Sequence, residues 1–153
     1  MPRTAGLVLI FGVIGLDLAT KAWARAELTF GEPNQVLPLL DLTLSFNRGV
    51  AFGLMRAAGG LVVLLVTAAI SLVFGLWFWR EPRPCTQLGL ALVLGGALGN
   101  FVDRLTRGEV TDFLDVHALG HHWPAFNLAD TAITCGAVVL VIDMLRVRKE
   151  ARP

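Results

Sequence analysis

Two stretches of the chain, residues 57–79 and 86–102, contain no charged side chain. No other feature of the sequence limits the fold as strongly. A run of about 20 apolar residues is what a helix needs to cross a hydrocarbon core roughly 30 Å thick. Two more apolar segments, 5–23 and 125–145, bring the expected spans to four. Charged residues make up 16% of the 153 and hydrophobic residues 55%, whereas a soluble domain carries about 25% charged residues to solvate its surface. A soluble chain and a disordered one are both excluded. Lipid offers no partner to a free backbone N–H or C=O, so each span must be a helix. The sequence predicts one all-α integral membrane domain over residues 1–153. Its first external loop (27–56) is large and its second (105–124) smaller.

An even number of spans puts both termini on one side. Arg3, the Arg80 and Arg83 turn, and the tail carrying Arg146, Arg148, Lys149 and Arg152 are compact cationic flanks, which mark the cytoplasmic side. Arg25, Arg48, Arg56, Arg104 and Arg107 lie opposite, on longer loops. The N-terminus imitates a cleavable signal, but Asp17 and Lys21 interrupt it before the small residues Ala24 and Ala26; a retained span is expected. A net charge of +1 gives no basic field for nucleic acid. Cys85 in a loop and Cys135 in a span do not suit a disulfide. His117, His121 and His122 share a loop with no companion thiolate, so neither a metal nor another cofactor is expected.

Polar chemistry gathers at the external end of the spans. Asp17 and Lys21 share a helix face and read as an anchoring or snorkelling pair. In the third span Gly89, Gly96, Asn100, Asp103, Arg104 and Arg107 fall on one side, with the small residues allowing close helix approach. Asn127 and Asp130 have the spacing of a helix cap, yet Thr131 and Thr134 extend them into a polar stripe. In the second external loop, period two puts Val110, Asp112, Leu114 and Val116 on one face and Thr111, Phe113 and Asp115 on the other. Asp112 is then a carboxylate on an apolar face, which must be paired, neutral or functional. If Asp112 and Asp130 meet at the external rim, they form a pair able to share one proton, as in aspartic proteases. No Ser/His/Asp or Cys/His set competes.

Five short motifs, in order over nearly the whole chain, resemble the bacterial lipoprotein signal peptidase (signal peptidase II) family. They are Asp17-x-x-Thr20-Lys21; Asn47-Arg48-Gly49-Val50-Ala51-Phe52-Gly53; Gly95-Gly96-x-x-Gly99-Asn100-x-x-Asp103-Arg104; Gly108-x-Val110-x-Asp112-Phe113; and Phe126-Asn127-x-Ala129-Asp130-x-x-Ile133. The resemblance implies catalytic Asp112 and Asp130. The supporting positions it implies are Asn47, Gly49, Asn100, Asp103, Arg104, Asn127 and Ala129, with Asp17 and Lys21. It implies an aspartyl endopeptidase of the bacterial inner membrane, with its site on the external face. Such an enzyme cuts diacylglyceryl-modified prolipoproteins before the lipidated cysteine. Arg104 would hold a substrate carbonyl or order Asp103, and the 47–53 loop would cover the cleft. Residues 118–122 align with nothing. Membrane lipid is the other expected partner, and the chain is expected to act as a monomer. The rival reading is a small proton- or solute-conducting protein with the aspartates as a relay. A relay places acidic groups through the membrane's depth, whereas here they crowd one end, Asp143 apart.

Overall fold

The computed structural model describes residues 1–49 and 59–150. Residues 50–53 of the second motif lie outside the described residues, and with them most of the loop expected to cover the cleft. Four helices form: α1 (Arg3–Glu27), α2 (Gly59–Arg80), α3 (Pro84–Arg107) and α4 (Leu128–Glu150). All four are long and apolar enough to cross a membrane. α1 and α3 run past their apolar stretches at both ends, and α2 and α4 run past theirs at the C-terminal end. The start of α4 falls short. There residues 125–127 are extended, because Phe126 pairs its backbone with Leu114.

The all-α expectation is corrected. Strands β1 (Asn34–Leu37), β2 (Leu40–Asn47), β3 (Val110–Ala118) and β4 (His121–His122) form an antiparallel sheet in the order β1-β2-β3-β4. β2 alternates Leu40, Leu42, Leu44 and Phe46 with Asp41, Thr43, Ser45 and Asn47, the period of a half-buried strand. The sheet is built from the α1–α2 and α3–α4 connections, the two loops expected to be external. Its pairing of Ser45 with Asp112 and Asn47 with Val110 bridges the segments before α2 and after α3.

α3 is the inner helix, and α1, α2 and α4 pack on it. A Cβ at Gly96 would collide with the Ala129 carbonyl oxygen and crowd Ile133, so the small residue is what lets α4 come close. Arg3 lies over the Trp79 ring, and Thr86 at the start of α3 donates to Asp143 late in α4. These contacts put the start of α1, the end of α2, the start of α3 and the late turns of α4 at one end of the bundle. At the opposite end Ala24, Leu44 and Phe113 form a small second core between α1 and the sheet. Gly108 caps α3 in the left-handed region (φ 79°), which a glycine enters without penalty, and delivers the chain into β3.

Candidate active site

Asp17, Lys21 and Arg25 recur every four residues, so they lie along one face of α1. Lys21 does not snorkel. It is wholly buried and donates to Asp17 Oδ2 at 2.7 Å and to Asn100 Oδ1 at 2.7 Å. Asp17 Oδ1 accepts the Ala129 N–H at 2.9 Å, and Asn100 Nδ2 donates to Asp130 Oδ1 at 2.8 Å. One carboxylate of the expected pair is thus suspended from α1 through α3.

The other is held by Asn127. Its Nδ2 donates to Asp112 Oδ1 at 2.7 Å, and more weakly to the Thr111 carbonyl and Asn100 Oδ1, each at 3.2 Å. Its Oδ1 accepts the Asp130 N–H at 3.0 Å, while Asp130 Oδ2 accepts the Asn127 N–H at 3.3 Å. This is a reciprocal helix cap. Capping and site-building are therefore the same contacts, and the two readings of this motif do not compete. The structure brings Asp112 and Asp130 together, joined through Asn127. Asn47, with its Oδ1 accepting the Gly49 N–H at 2.8 Å, also hydrogen-bonds the Asp112 carboxylate. Gly49 (φ 71°) sits where a Cβ would touch Val63 of α2 and Arg104. Burial pushes the Asp112 carboxyl up to about 6, and the negative charge of Asp130 is the second cause. The Asn127 and Asn47 hydrogen bonds and the Lys21 charge pull the other way.

Several expectations change. Arg104 does not order Asp103. Asp103 Oδ2 accepts the Thr111 N–H at 2.7 Å, and its Oδ1 faces Arg25 at 3.4 Å. Arg104 instead lies where its charge is felt by Asp130, Asp112 and Asp103, with a buried Nε that has no partner among the described residues. Arg25, which the sequence did not single out, donates to Thr111 Oγ1 at 2.8 Å and so grips the residue before Asp112. The threonine stripe is not polar toward the site: Thr131 and Thr134 return their hydroxyls to the Asn127 and Asp130 carbonyls. Val110, Thr111, Asp112 and Phe113 are all buried, because one face of β3 packs against α1 while Asp112 faces the start of α4. Asp115 is not free in solvent but contacts His122 Nδ1 at 2.9 Å, and His117 lies against Asp41.

Two carboxylates joined by one amide, one of them raised in pKa, beside a guanidinium whose Nε has no partner among the described residues, form a centre suited to acid–base hydrolysis. Comparison with known proteins agrees. The model of the family described as "Signal peptidase (SPase) II" matches residues 9–146. The chain is 45% identical over 152 residues to the lipoprotein signal peptidase of Burkholderia thailandensis, covering 96% of this chain and 90% of that one. It is 43% identical over 142 residues to that of Acinetobacter baumannii, covering 90% and 81%. A bacterial membrane enzyme structure solved by the in meso method at 1.9 Å superimposes with a TM-score of 0.86 at 29% identity, over 93% of each chain.

Proposed function

The chain belongs to the signal peptidase II family, and we propose that Asp112 and Asp130 are the carboxylates with which it cuts. Its reaction is the removal of the signal peptide from prolipoproteins that carry a diacylglyceryl-modified cysteine, with the cut made before that cysteine. It does so as a multi-pass protein of the bacterial inner membrane. The observation that carries the assignment is Asn127, which ties Asp112 Oδ1 to the Asp130 backbone.

Two close carboxylates ionise one at a time and share a proton. Asp112, raised toward 6, holds that proton and hydrogen-bonds the scissile carbonyl oxygen. Asp130, anchored by Asn100, takes a proton from water as the water oxygen attacks the carbonyl carbon. The carbonyl oxygen takes the Asp112 proton, giving a tetrahedral diol; as the diol collapses, one of its O–H groups returns a proton to Asp112. The C–N bond breaks, the proton on Asp130 passes to the amine of the lipidated cysteine, and the signal peptide leaves as a carboxylic acid. Arg104, with its free Nε, holds a peptide carbonyl of the substrate. Asn47, Gly49, Asn100, Asp103, Asn127, Ala129, Asp17 and Lys21 position these groups.

The site faces outward in our assignment, with both termini cytoplasmic. The support is Arg3, Arg80, Arg83, Arg146 and Arg148 at the opposite end of the bundle. We take the chain to be a single membrane-embedded domain that works as a monomer in contact with lipid. The relay reading finds no support: the carboxylates around Asp112 and Asp130 gather at one end, and Glu81, buried at the other, is paired with Arg83. The test is incubation of the purified protein with a lipidated prolipoprotein and its unlipidated twin. Cleavage of the first alone is expected; cleavage of neither overturns the assignment.

A further inference from the structure

The turn between α2 and α3, at the far end of the bundle from Asp112 and Asp130, carries a polar network that the reaction does not use. Glu81 is buried there. Its Oε2 accepts the Trp77 Nε1–H at 2.9 Å, and its Oε1 accepts the Arg83 backbone N–H at 3.1 Å and Arg83 Nε–H at 3.0 Å. One carboxylate thus fixes both an indole and a guanidinium. Facing them, Thr86 donates to Asp143 Oδ2. Arg83 Nη1 lies 3.4 Å from the same oxygen, too far for a strong charge-assisted hydrogen bond. Arg83 Nη2 and Asp143 Oδ1 have no partner among the described residues.

These two side chains share the wall of a crevice of about 250 Å³ between the late turns of α2 and α4. Trp77, Leu140 and Met144 give it an apolar floor. Its depth is set by the ends of the apolar runs: Arg80 and Arg83 follow that of α2, and Arg146 and Arg148 follow that of α4. Cationic flanks of this kind lie among lipid headgroups. The crevice therefore presents one cation and one anion, side by side, where a headgroup meets hydrocarbon. A larger cavity of about 480 Å³ between α1 and α2, walled by Leu7, Ile10, Phe78 and Leu94, has no charged residue on its wall. Hydrocarbon fits it, but nothing in it reads a headgroup.

We propose that the α2–α4 crevice binds a zwitterionic phospholipid with a primary ammonium, of the phosphatidylethanolamine type. The phosphate takes the free Nη2 of Arg83, whose planar fork suits phosphate oxygens. The ammonium donates to Asp143 Oδ1. The acyl chains leave over Leu140 and Met144 into the bilayer. A choline headgroup has no N–H to give Asp143, and a glycerol headgroup brings a phosphate to that carboxylate with no cation between them. Glu81 and Thr86 hold the arginine and the aspartate from behind, so the seat is formed before the lipid arrives. Once bound, the lipid ties α2 to α4 at the end remote from the carboxylate pair.

The test is native mass spectrometry of the full-length protein, released from detergent after mixing with equal amounts of ethanolamine, choline and glycerol phospholipids of one acyl composition. The ethanolamine lipid should be retained at least about tenfold over either of the others. Equal retention of all three overturns the proposal. So does retention led by the glycerol lipid, which would make the site a plain basic patch. Asp143→Asn keeps an acceptor for Thr86 and removes the charge, so the ethanolamine-over-choline ratio should fall by about tenfold. An unchanged ratio in that variant, with helix content retained, puts the lipid elsewhere and overturns the assignment. Met144→Trp fills the crevice and leaves both charges in place. It should lower retention of the ethanolamine lipid and the rise in Tm that this lipid gives the wild type. Wild-type values for both would also overturn the proposal.

Discussion

Lys21 Nζ lies 2.7 Å from Asn100 Oδ1, across the contact between α1 and α3, and the lysine has no exposure to solvent. An ammonium only donates, so the Asn100 oxygen must face it. The amide nitrogen is thereby forced toward Asp130. A lysine that touches neither member of the aspartate pair fixes which way the asparagine between them points.

Lys21→Met should destabilise the protein by about 3–5 kcal/mol, because it strands the buried Asp17 carboxylate. The double variant Lys21→Met/Asp17→Asn should recover part of that loss. Thermal unfolding in detergent measures both. A double variant no more stable than the single one would mean the pair is not the source of the effect.

Asp112→Asn and Asp130→Asn should each lower the cleavage rate by at least about 10³-fold, since the amide can neither hold the shared proton nor accept one from water. Helix content should be retained in both. Asp115→Asn should remain active, because Asp115 is engaged with His122 at the far end of β3. An inactive Asp115→Asn with an active Asp112→Asn would reverse the assignment.

Single-turnover rate against pH should be bell-shaped, falling on the alkaline side as the last shared proton is lost near pH 6. Asn47→Ala removes a hydrogen bond that favours the ionised Asp112, so the alkaline limb should move to higher pH. Stability follows the same sign. The folded carboxyl binds its proton more tightly than the unfolded one, whose value is 3.8. The contribution is therefore present below that value and lost as pH rises through about 6. A rate that climbs steadily into alkali would rule out the shared proton.

Arg25→Met should reduce kcat by roughly 10- to 100-fold with little change in KM. It frees Thr111 Oγ1 and lets the neighbouring Asp112 drift from its working position. Arg25→Gln, which can still donate to Thr111, should restore part of the rate. A KM effect alone would make Arg25 a substrate contact instead.

The four spans were legible because a membrane helix announces itself by composition, without needing to know its neighbours. Their ends were less so, since helical hydrogen bonding continues past the hydrocarbon limit that ends the apolar run. The alternation of β2 over Leu40–Asn47 was a readable strand signal. Its partner β3, however, lies beyond two helices, and nothing local reveals that pairing. Asp112 stood out as a carboxylate in an apolar register. The same register misled for Thr111 and Phe113, because α1 covers the face that period two would leave to water. Arg25 carried no signal, as its partners Asp103 and Thr111 are 78 and 86 residues away in sequence.

The reciprocal cap at the start of α4 has a consequence for drug resistance. An inhibitor that hydrogen-bonds the side chain of Asn127 would be reading an atom group that also closes the helix. A bacterium that replaced Asn127 to escape it would lose the donor to Asp112 and the acceptor for the Asp130 N–H together. Loss of a helix-capping side chain alone costs about 1 kcal/mol, and the misplaced carboxylates would add a loss of turnover. Escape at that position would cost the cell its own lipoprotein maturation, so such a contact offers the bacterium few viable exits.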